Sequence, residues 1–188
     1  LVAAGFIPDA SYLWWAIRPS VRFPTLELRI ADSCTRIRDS AIIAAIYQSL
    51  LHYLARNPES FREWEDHHRL INEENVWQAV RHGIDARFAN PVTGEVTVLA
   101  AWADELVALL AGSARELGCT QELSAIADIA MEGSSADRQL NRFQSEIASG
   151  ATKAEALKFV AEDLADLTMC GALAASIGDP IARPVYAE

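Results

Sequence analysis

An α+β domain, with strands first and helices after, is the fold class this sequence predicts, and three observations carry it. Residues Thr25 to Ala31 alternate between apolar and polar side chains with the period of a strand. From about Thr35 the apolar spacing changes to the 3.6-residue period of a helix. From Ala100 onward nearly the whole chain keeps that second period. Strands followed by helices predict helices packed on one face of an antiparallel sheet.

Tyr12-Leu13-Trp14-Trp15-Ala16-Ile17 is short, aromatic and bounded by Asp9 and Pro19, so it reads as a first strand. A loop through Arg18-Pro19-Ser20-Val21-Arg22 leads to Pro24. In the second strand Leu26, Leu28 and Ile30 point one way, to pack on helices, and Thr25, Glu27, Arg29 and Ala31 point the other. Thr35 or Asp39 caps a helix carrying Ile42, Ile43, Ile46, Leu50, Tyr53 and Leu54, and Asn57-Pro58 ends it. A polar helical stretch is expected from Ser60 to about Leu70, and a short helix from Glu73 to Ile84. Ala86 to Phe88 and Val96 to Val98 flank Pro91-Val92-Thr93-Gly94 as a small hairpin. Helices follow over roughly 100–117, 121–132, 136–149 and 152–173, broken at Gly118, at Gly133-Ser134-Ser135 and at Gly150. The tail from Gly178 holds two prolines and reads as loop.

Composition narrows the function. Hydrophobic residues form 51% of the chain, enough for a sizeable core. The formal net charge of −10 argues against nucleic acid as a partner, because phosphate backbones are bound by clustered Lys and Arg. It leaves room for a nucleotide, which needs only one or two well-placed cations and a metal ion. No apolar run reaches the ~18 residues of a membrane span, so no membrane partner is expected. Cys34, Cys119 and Cys170 are odd in number and far apart, which points to a reducing cytoplasm and packing roles. The chain opens at Leu1 rather than Met, which reads as a start inside a longer polypeptide or as a processed product.

Chemistry concentrates on the second strand. Glu27 and Arg29 are two apart, so both project from one face roughly 6–7 Å apart. Such a pair is suited to holding Mg²⁺ through the acid and a phosphate through the arginine fork; the alternative is a salt bridge on a solvated sheet face. Arg18 and Arg22, in the preceding loop, are candidates for a substrate carboxylate or phosphate, and Asp32 for orienting Arg29 or capping a turn. Asn75 and Arg81 sit six apart on a helix and point to different sides, with Arg81 the better candidate for a ligand. His67-His68 are adjacent on a helix and cannot chelate together, so they read as a solvated polar face. Trp14 and Trp15 read as core and sheet-face aromatics.

Two blocks carry a family resemblance. The first is Trp14-Trp15-Ala16-Ile17-Arg18-Pro19 followed by Arg22-Phe23-Pro24-Thr25-Leu26-Glu27-Leu28-Arg29-Ile30-Ala31-Asp32. It resembles the signature of the carboxylate–amine ligases, the glutamate–cysteine ligase type 2 family, with its tryptophans, Ile-Arg-Pro and Pro-Thr-Leu-Glu-x-Arg-x-x-Asp. The second, Glu74-Asn75-Val76-Trp77-Gln78-Ala79-Val80-Arg81-His82-Gly83-Ile84-Asp85-Ala86, is similar to the family's Asn-x-Trp-x-Ala-x-Arg-x-Gly-Leu segment. The resemblance covers most of the chain and places it in the C-terminal half of the family's catalytic domain. Residues 1–99 would form a sheet-and-helix part, 100–178 a helical part and 179–188 a tail.

The resemblance implies a fold like glutamine synthetase, in which a curved antiparallel sheet forms a basin for ATP and metal ions, followed here by a helical bundle. It implies that ATP phosphorylates a carboxylate, such as the γ-carboxylate of glutamate, and that an amine such as cysteine attacks the acyl phosphate. On this reading Glu27 ligates Mg²⁺, Arg29 and Arg18 are catalytic, and Arg29, Arg22 and Arg81 bind the nucleotide. The family's N-terminal half adds a glutamate-rich strand, and no second Glu-x-Glu strand occurs here. A lone Glu27 is a poor Mg²⁺ site. A missing half or another chain that completes the sheet, in a homo- or hetero-oligomer, is therefore expected, and the chain alone should be inactive. The alternatives are a non-catalytic regulatory or scaffold subunit that keeps the fold, and a helical interaction module whose strand block is incidental.

Overall fold

A computed structural model describes residues 1–60 and 65–177, with 171–177 described by their backbone alone. The chain divides into two compact units, Leu1–Cys34 and Thr35–Glu188. The α+β class holds, with helix the larger share and the sheet reduced to two separate two-stranded antiparallel ladders.

The first unit holds a 3₁₀ turn at Ala10–Tyr12 and two short strands, β1 (Ile17–Pro19) and β2 (Leu26–Leu28). The expected aromatic strand is therefore mostly turn and extended chain, and pairing begins only at Ile17. Asp9 caps the turn, its carboxylate accepting the Ser11 N–H at 2.7 Å. Hydrogen bonding from the Ser11 side chain, and then from its N–H, holds the Asp9 carboxyl below the usual aspartate range.

The second unit begins with α1 (Ile37–Arg56). Ile42, Ala45 and Ser49 are buried at helical spacing, and Leu50 and Tyr53 continue the face. Asn57 ends the helix, its Nδ2 donating to the Tyr53 carbonyl at 2.8 Å, and Pro58 blocks continuation. Next comes α2 (Asp66–His82), one continuous helix where two pieces were expected; residues 61–64 of the predicted polar stretch lie outside the described residues. A hairpin, β3 (Arg87–Ala89) and β4 (Val96–Val98), follows at the predicted place, with Phe88 opposite Thr97. It packs against α2 and against α3 (Leu99–Leu117), where Phe88 meets Trp102 with ring centroids 4.9 Å apart.

The core lies where α1 meets α3 and α4 (Thr120–Ser124): Ala45, Leu110, Ala114, Cys119 and Leu123 are buried together. Alanines at 45 and 114 let the helix backbones approach closely. Gly118 ends α3 at φ +72°, a left-handed conformation that suits glycine, and the Cys119 N–H then closes on the Ala114 carbonyl at 2.9 Å. The expected helix over 121–132 is two, α4 and α5 (Ile126–Glu132), meeting at Ala125. α6 (Ser135–Ala148) and α7 (Lys153–Ile177) pack on each other. Arg142 of α6 reaches Asp163 at 3.2 Å, and its guanidinium lies 5.4 Å from the Phe159 ring centroid. The predicted tail from Gly178 lies outside the described residues.

Candidate functional site

The register of β1 on β2 builds the site. Ile17 faces Leu28, Arg18 faces Glu27 and Pro19 faces Leu26. The connecting loop is closed by the Ser20 N–H on the Thr25 carbonyl at 2.9 Å, and Ser20 Oγ accepts the N–H groups of Arg22 and Phe23, each at 3.3 Å. Past the ladder, the Arg29 N–H still donates to the Ala16 carbonyl at 2.7 Å. Residues directly opposite in such a pair share a face, and so do residues two apart on one strand. Arg18, Glu27 and Arg29 are therefore brought together by backbone pairing alone.

The two arginines are held differently. Arg18 lies on β1 rather than in the loop where it was expected. Its Nε donates to Glu27 Oε2 at 2.8 Å, and its Nη1 donates to the Leu13 carbonyl at 3.2 Å and to the Ser11 carbonyl. Its side chain is 14% exposed, against 35% for Arg29. Arg29 Nη1 stands 3.6 Å from the same Glu27 oxygen, and its guanidinium lies 5.5 Å from the Trp14 ring centroid. Arg18 thus staples the 3₁₀ turn to both strands, while Arg29 rests against an acid and an aromatic ring with its outer edge open to solvent.

The hydrogen bond from Arg18 holds the Glu27 carboxyl below the usual glutamate range, ahead of the opposing effect of desolvation, and the charges of Arg18 and Arg29 add to it. Both ion pairs fall on Oε2. One carboxylate whose charge is met by two guanidiniums is not a Mg²⁺ site, which needs several oxygen ligands. Among the described residues no group of three or more His, Cys, Asp or Glu is placed to hold a metal. The described residues therefore do not complete a metal site by themselves.

The remaining candidates fall elsewhere. Arg22 is exposed in the β1–β2 loop, and among the described residues its guanidinium makes no hydrogen bond. Arg81 is exposed in the last turn of α2, in the second unit. Asn75 is buried: its Nδ2 donates to the Ala89 carbonyl at 2.8 Å and its Oδ1 accepts the Ala89 N–H at 2.9 Å. It ties α2 to β3 rather than meeting a ligand. Asp32 accepts the Ser33 N–H at 2.7 Å.

Three expectations are corrected. Trp14 and Trp15 are not core residues; Trp14 is 84% exposed. Within the first unit the apolar face of β2 is open, with Leu26 and Ile30 exposed, because a two-stranded ladder offers it nothing to pack on. The solvated reading of the histidine pair holds for His67 but not for His68, which is buried and accepts the Glu65 N–H on Nδ1 at 2.8 Å, capping α2. Sequence reasoning missed the contact of Trp14 with Arg29, which depends on the turn between them and leaves no periodic signal.

Comparison with known proteins bears on these blocks directly. The profile of glutamate–cysteine ligase family 2 (GCS2) matches residues 1–162. The chain belongs to this family. A relative from Rhodospirillum rubrum named "Putative glutamate--cysteine ligase 2" is 41% identical over 180 residues, covering 96% of this chain and 46% of the relative. A protein of the same name from Bradyrhizobium sp. (strain ORS 278) is 40% identical over 147 residues, covering 77% of this chain and 35% of its own length. The chain thus spans less than half the length of either ligase-family relative. Both sequence blocks, around Glu27 and around Asn75, lie inside the matched region of family 2.

Proposed function

We propose that this chain is one portion of an ATP-dependent ligase that joins an amino-acid carboxylate, the γ-carboxylate of glutamate, to an amine such as that of cysteine through an acyl phosphate. The observation that carries the reading is the β1–β2 ladder of a family 2 chain, which sets a lightly held guanidinium, Arg29, beside a fixed carboxylate, Glu27. Phosphoryl transfer is catalysed chiefly by positioning and by neutralising charge on the transferred group, which an open arginine fork can do. In this reading Arg29 receives a phosphate of the nucleotide and exposed Arg22 of the same unit adds positive charge, while Arg81, in the second unit, is a separate nucleotide-binding candidate. Arg18 acts by fixing Glu27 and the turn before β1, since its Nε and Nη1 are already committed.

A metal ion such as Mg²⁺ would need carboxylates beyond those grouped among the described residues, with Glu27 at most one ligand. The chain would therefore work with the remaining ligase portion or another subunit that completes the sheet, as a homo- or hetero-oligomer. The three cysteines are all free, which suits a reducing compartment such as the cytoplasm. One observation favours a second reading, a regulatory or scaffold subunit that keeps the fold: Glu27 is already neutralised by two arginines.

The test complements this chain with the portion of the Rhodospirillum rubrum relative that it does not align with. ADP release is then followed with ATP, Mg²⁺, glutamate and a panel of amines. Amine-dependent ADP release that Glu27→Ala and Arg29→Ala both abolish is the expected result. Nucleotide binding that requires Arg29 without turnover would favour the regulatory reading. Absence of both turnover and nucleotide binding would overturn the ligase assignment.

A further inference from the structure

The unusual feature of the first unit is a tryptophan that is almost fully exposed yet not idle. Trp14 lies between the 3₁₀ turn and β1 and carries the Arg29 guanidinium 5.5 Å from its ring centroid. A lone exposed aromatic is ordinary on a protein surface, so any use it has must come from what it touches. The arrangement around Arg29 gives it a use. Glu27 reaches Arg29 only at 3.6 Å, and the shared oxygen is already bound more closely by Arg18 at 2.8 Å. The carboxylate by itself therefore holds Arg29 loosely. A cation over an aromatic face is the second hold, and unlike a salt bridge it leaves every N–H of the guanidinium free to donate.

We infer that Trp14 is a positioning residue: it holds the Arg29 guanidinium face-down so that its N–H edge is presented to an incoming oxyanion. This rests on the ligase reading for the source of that anion, the phosphate chain of a nucleotide, with an amino-acid carboxylate as the other source of the same chemistry. Arg18, the better-buried arginine of the pair, does not take the anion. Trp14 needs only its π-face for this role, so phenylalanine substitutes for it and alanine does not.

The experiment uses the 188-residue chain and two probes, inorganic tripolyphosphate and glutamate, each titrated by calorimetry and by tryptophan emission. Tripolyphosphate is expected to bind the wild type and to bind Arg29→Ala at least about tenfold more weakly, the scale of a lost charge-assisted hydrogen bond. Trp14→Ala should weaken binding about three- to fivefold, the scale of an exposed cation–π contact, and Trp14→Phe should keep most of it. The emission change on binding should vanish in Trp14→Phe although binding persists, because the reporting indole is the one that carries Arg29. Stronger binding of glutamate than of tripolyphosphate, with the same variant pattern, would keep Trp14 in its role and assign the anion to the carboxylate substrate. Wild-type affinity in Trp14→Ala while Arg29→Ala loses it would overturn the role of Trp14 and leave the ligase reading standing. Failure of both probes to bind the wild type would overturn the inference; the ligase reading stands or falls separately on ADP release. Trp14 is exposed, so its variants should fold, and far-UV circular dichroism of each variant confirms that loss of binding is not loss of structure.

Discussion

Replacing Asn75 should cost more stability than any other single polar change in the second family block. The residue is 7% exposed and its side chain makes two short bonds to Ala89, donating to the carbonyl at 2.8 Å and accepting the N–H at 2.9 Å. The amide thus does for the outer edge of β3 what a third strand would do. Asn75→Ala removes both bonds and leaves a half-buried N–H and carbonyl without protein partners. Two net hydrogen bonds of about 1 kcal/mol each, plus part of a desolvation penalty of about 1–3 kcal/mol, give a loss of about 2–4 kcal/mol. Asn75→Asp is the sharper variant. It keeps an acceptor for the Ala89 N–H but sets an anionic oxygen against the Ala89 carbonyl, so it should be as damaging as alanine at neutral pH. It should recover in part in acid, where the protonated acid donates again. Urea unfolding should show the midpoint falling by about 1 M or more with the slope unchanged. Hydrogen exchange should show the Ala89 amide losing protection. A stability change below about 0.5 kcal/mol in Asn75→Ala, or an unchanged Ala89 amide, would refute the clamp.

Asp39 is buried and accepts from Arg36 at 2.9 Å and from Arg138 at 3.2 Å; Asp39→Ala leaves Arg36 its pair with Glu132 and Arg138 its bond to the Gly133 carbonyl but removes the acid they share, and should lower stability by about 2–3 kcal/mol in urea unfolding. Leu110 is fully buried in the α1–α3–α4 core, and Leu110→Ala should cost about 2–5 kcal/mol by the same assay. Ser134 caps α6 together with Asp137, and Ser134→Ala should cost about 1 kcal/mol in thermal unfolding. The bond from Ser134 holds the Asp137 carboxyl below the usual aspartate range, so this cap contributes fully at neutral pH and is lost as pH falls through and below that range; Ser134→Ala should flatten the acid limb. Glu27 is likewise depressed, first by the Arg18 hydrogen bond, and its carboxyl followed by NMR should titrate below the usual glutamate range in the wild type and move up in Arg18→Ala.

How much of this was legible in the sequence depends on whether a feature is periodic. α1, α3 and the β3–β4 hairpin fall where apolar spacing and the Pro91 to Gly94 turn place them, because each buries one face at its own repeat. The aromatic run at Tyr12 to Ile17 misled because strand propensity in Trp and Tyr reflects a packed, half-buried surface, and Trp14 and Trp15 have none in this unit. The break at Ala125 carries no glycine or proline; there the Ala125 N–H is shared between the carbonyls of Gln121 and Glu122, at 3.2 Å each, and the next turn tightens, the Asp128 N–H closing on the Ala125 carbonyl at 3.1 Å. In the site, Glu27 and Arg29 share a face by a rule of two. Arg18 joins them only through the register of β1 on β2, which local alternation cannot supply.

The two units make different claims on the rest of a ligase. The second has a core of its own, where α1, α3 and α4 bury Ala45, Leu110, Ala114 and Leu123 together. In the first, no residue from Leu1 to Cys34 is buried, and its sheet is two strands of three residues. A two-stranded hairpin is marginal on its own in water, and its polar cluster lacks the packed surroundings that hold catalytic groups to within a fraction of an ångström. Yet this unit carries Arg18, Glu27 and Arg29 on a ladder whose apolar side, Leu26 and Ile30, is exposed. An open apolar strand face behind a charged one is what a sheet shows when part of its packing is contributed from elsewhere. Relatives more than twice as long as the matched segment have the chain to contribute it. On the ligase proposal these residues supply an anion-binding edge and call for further packing: Arg29 stands 3.6 Å from the Glu27 oxygen, loosely enough to take an incoming anion.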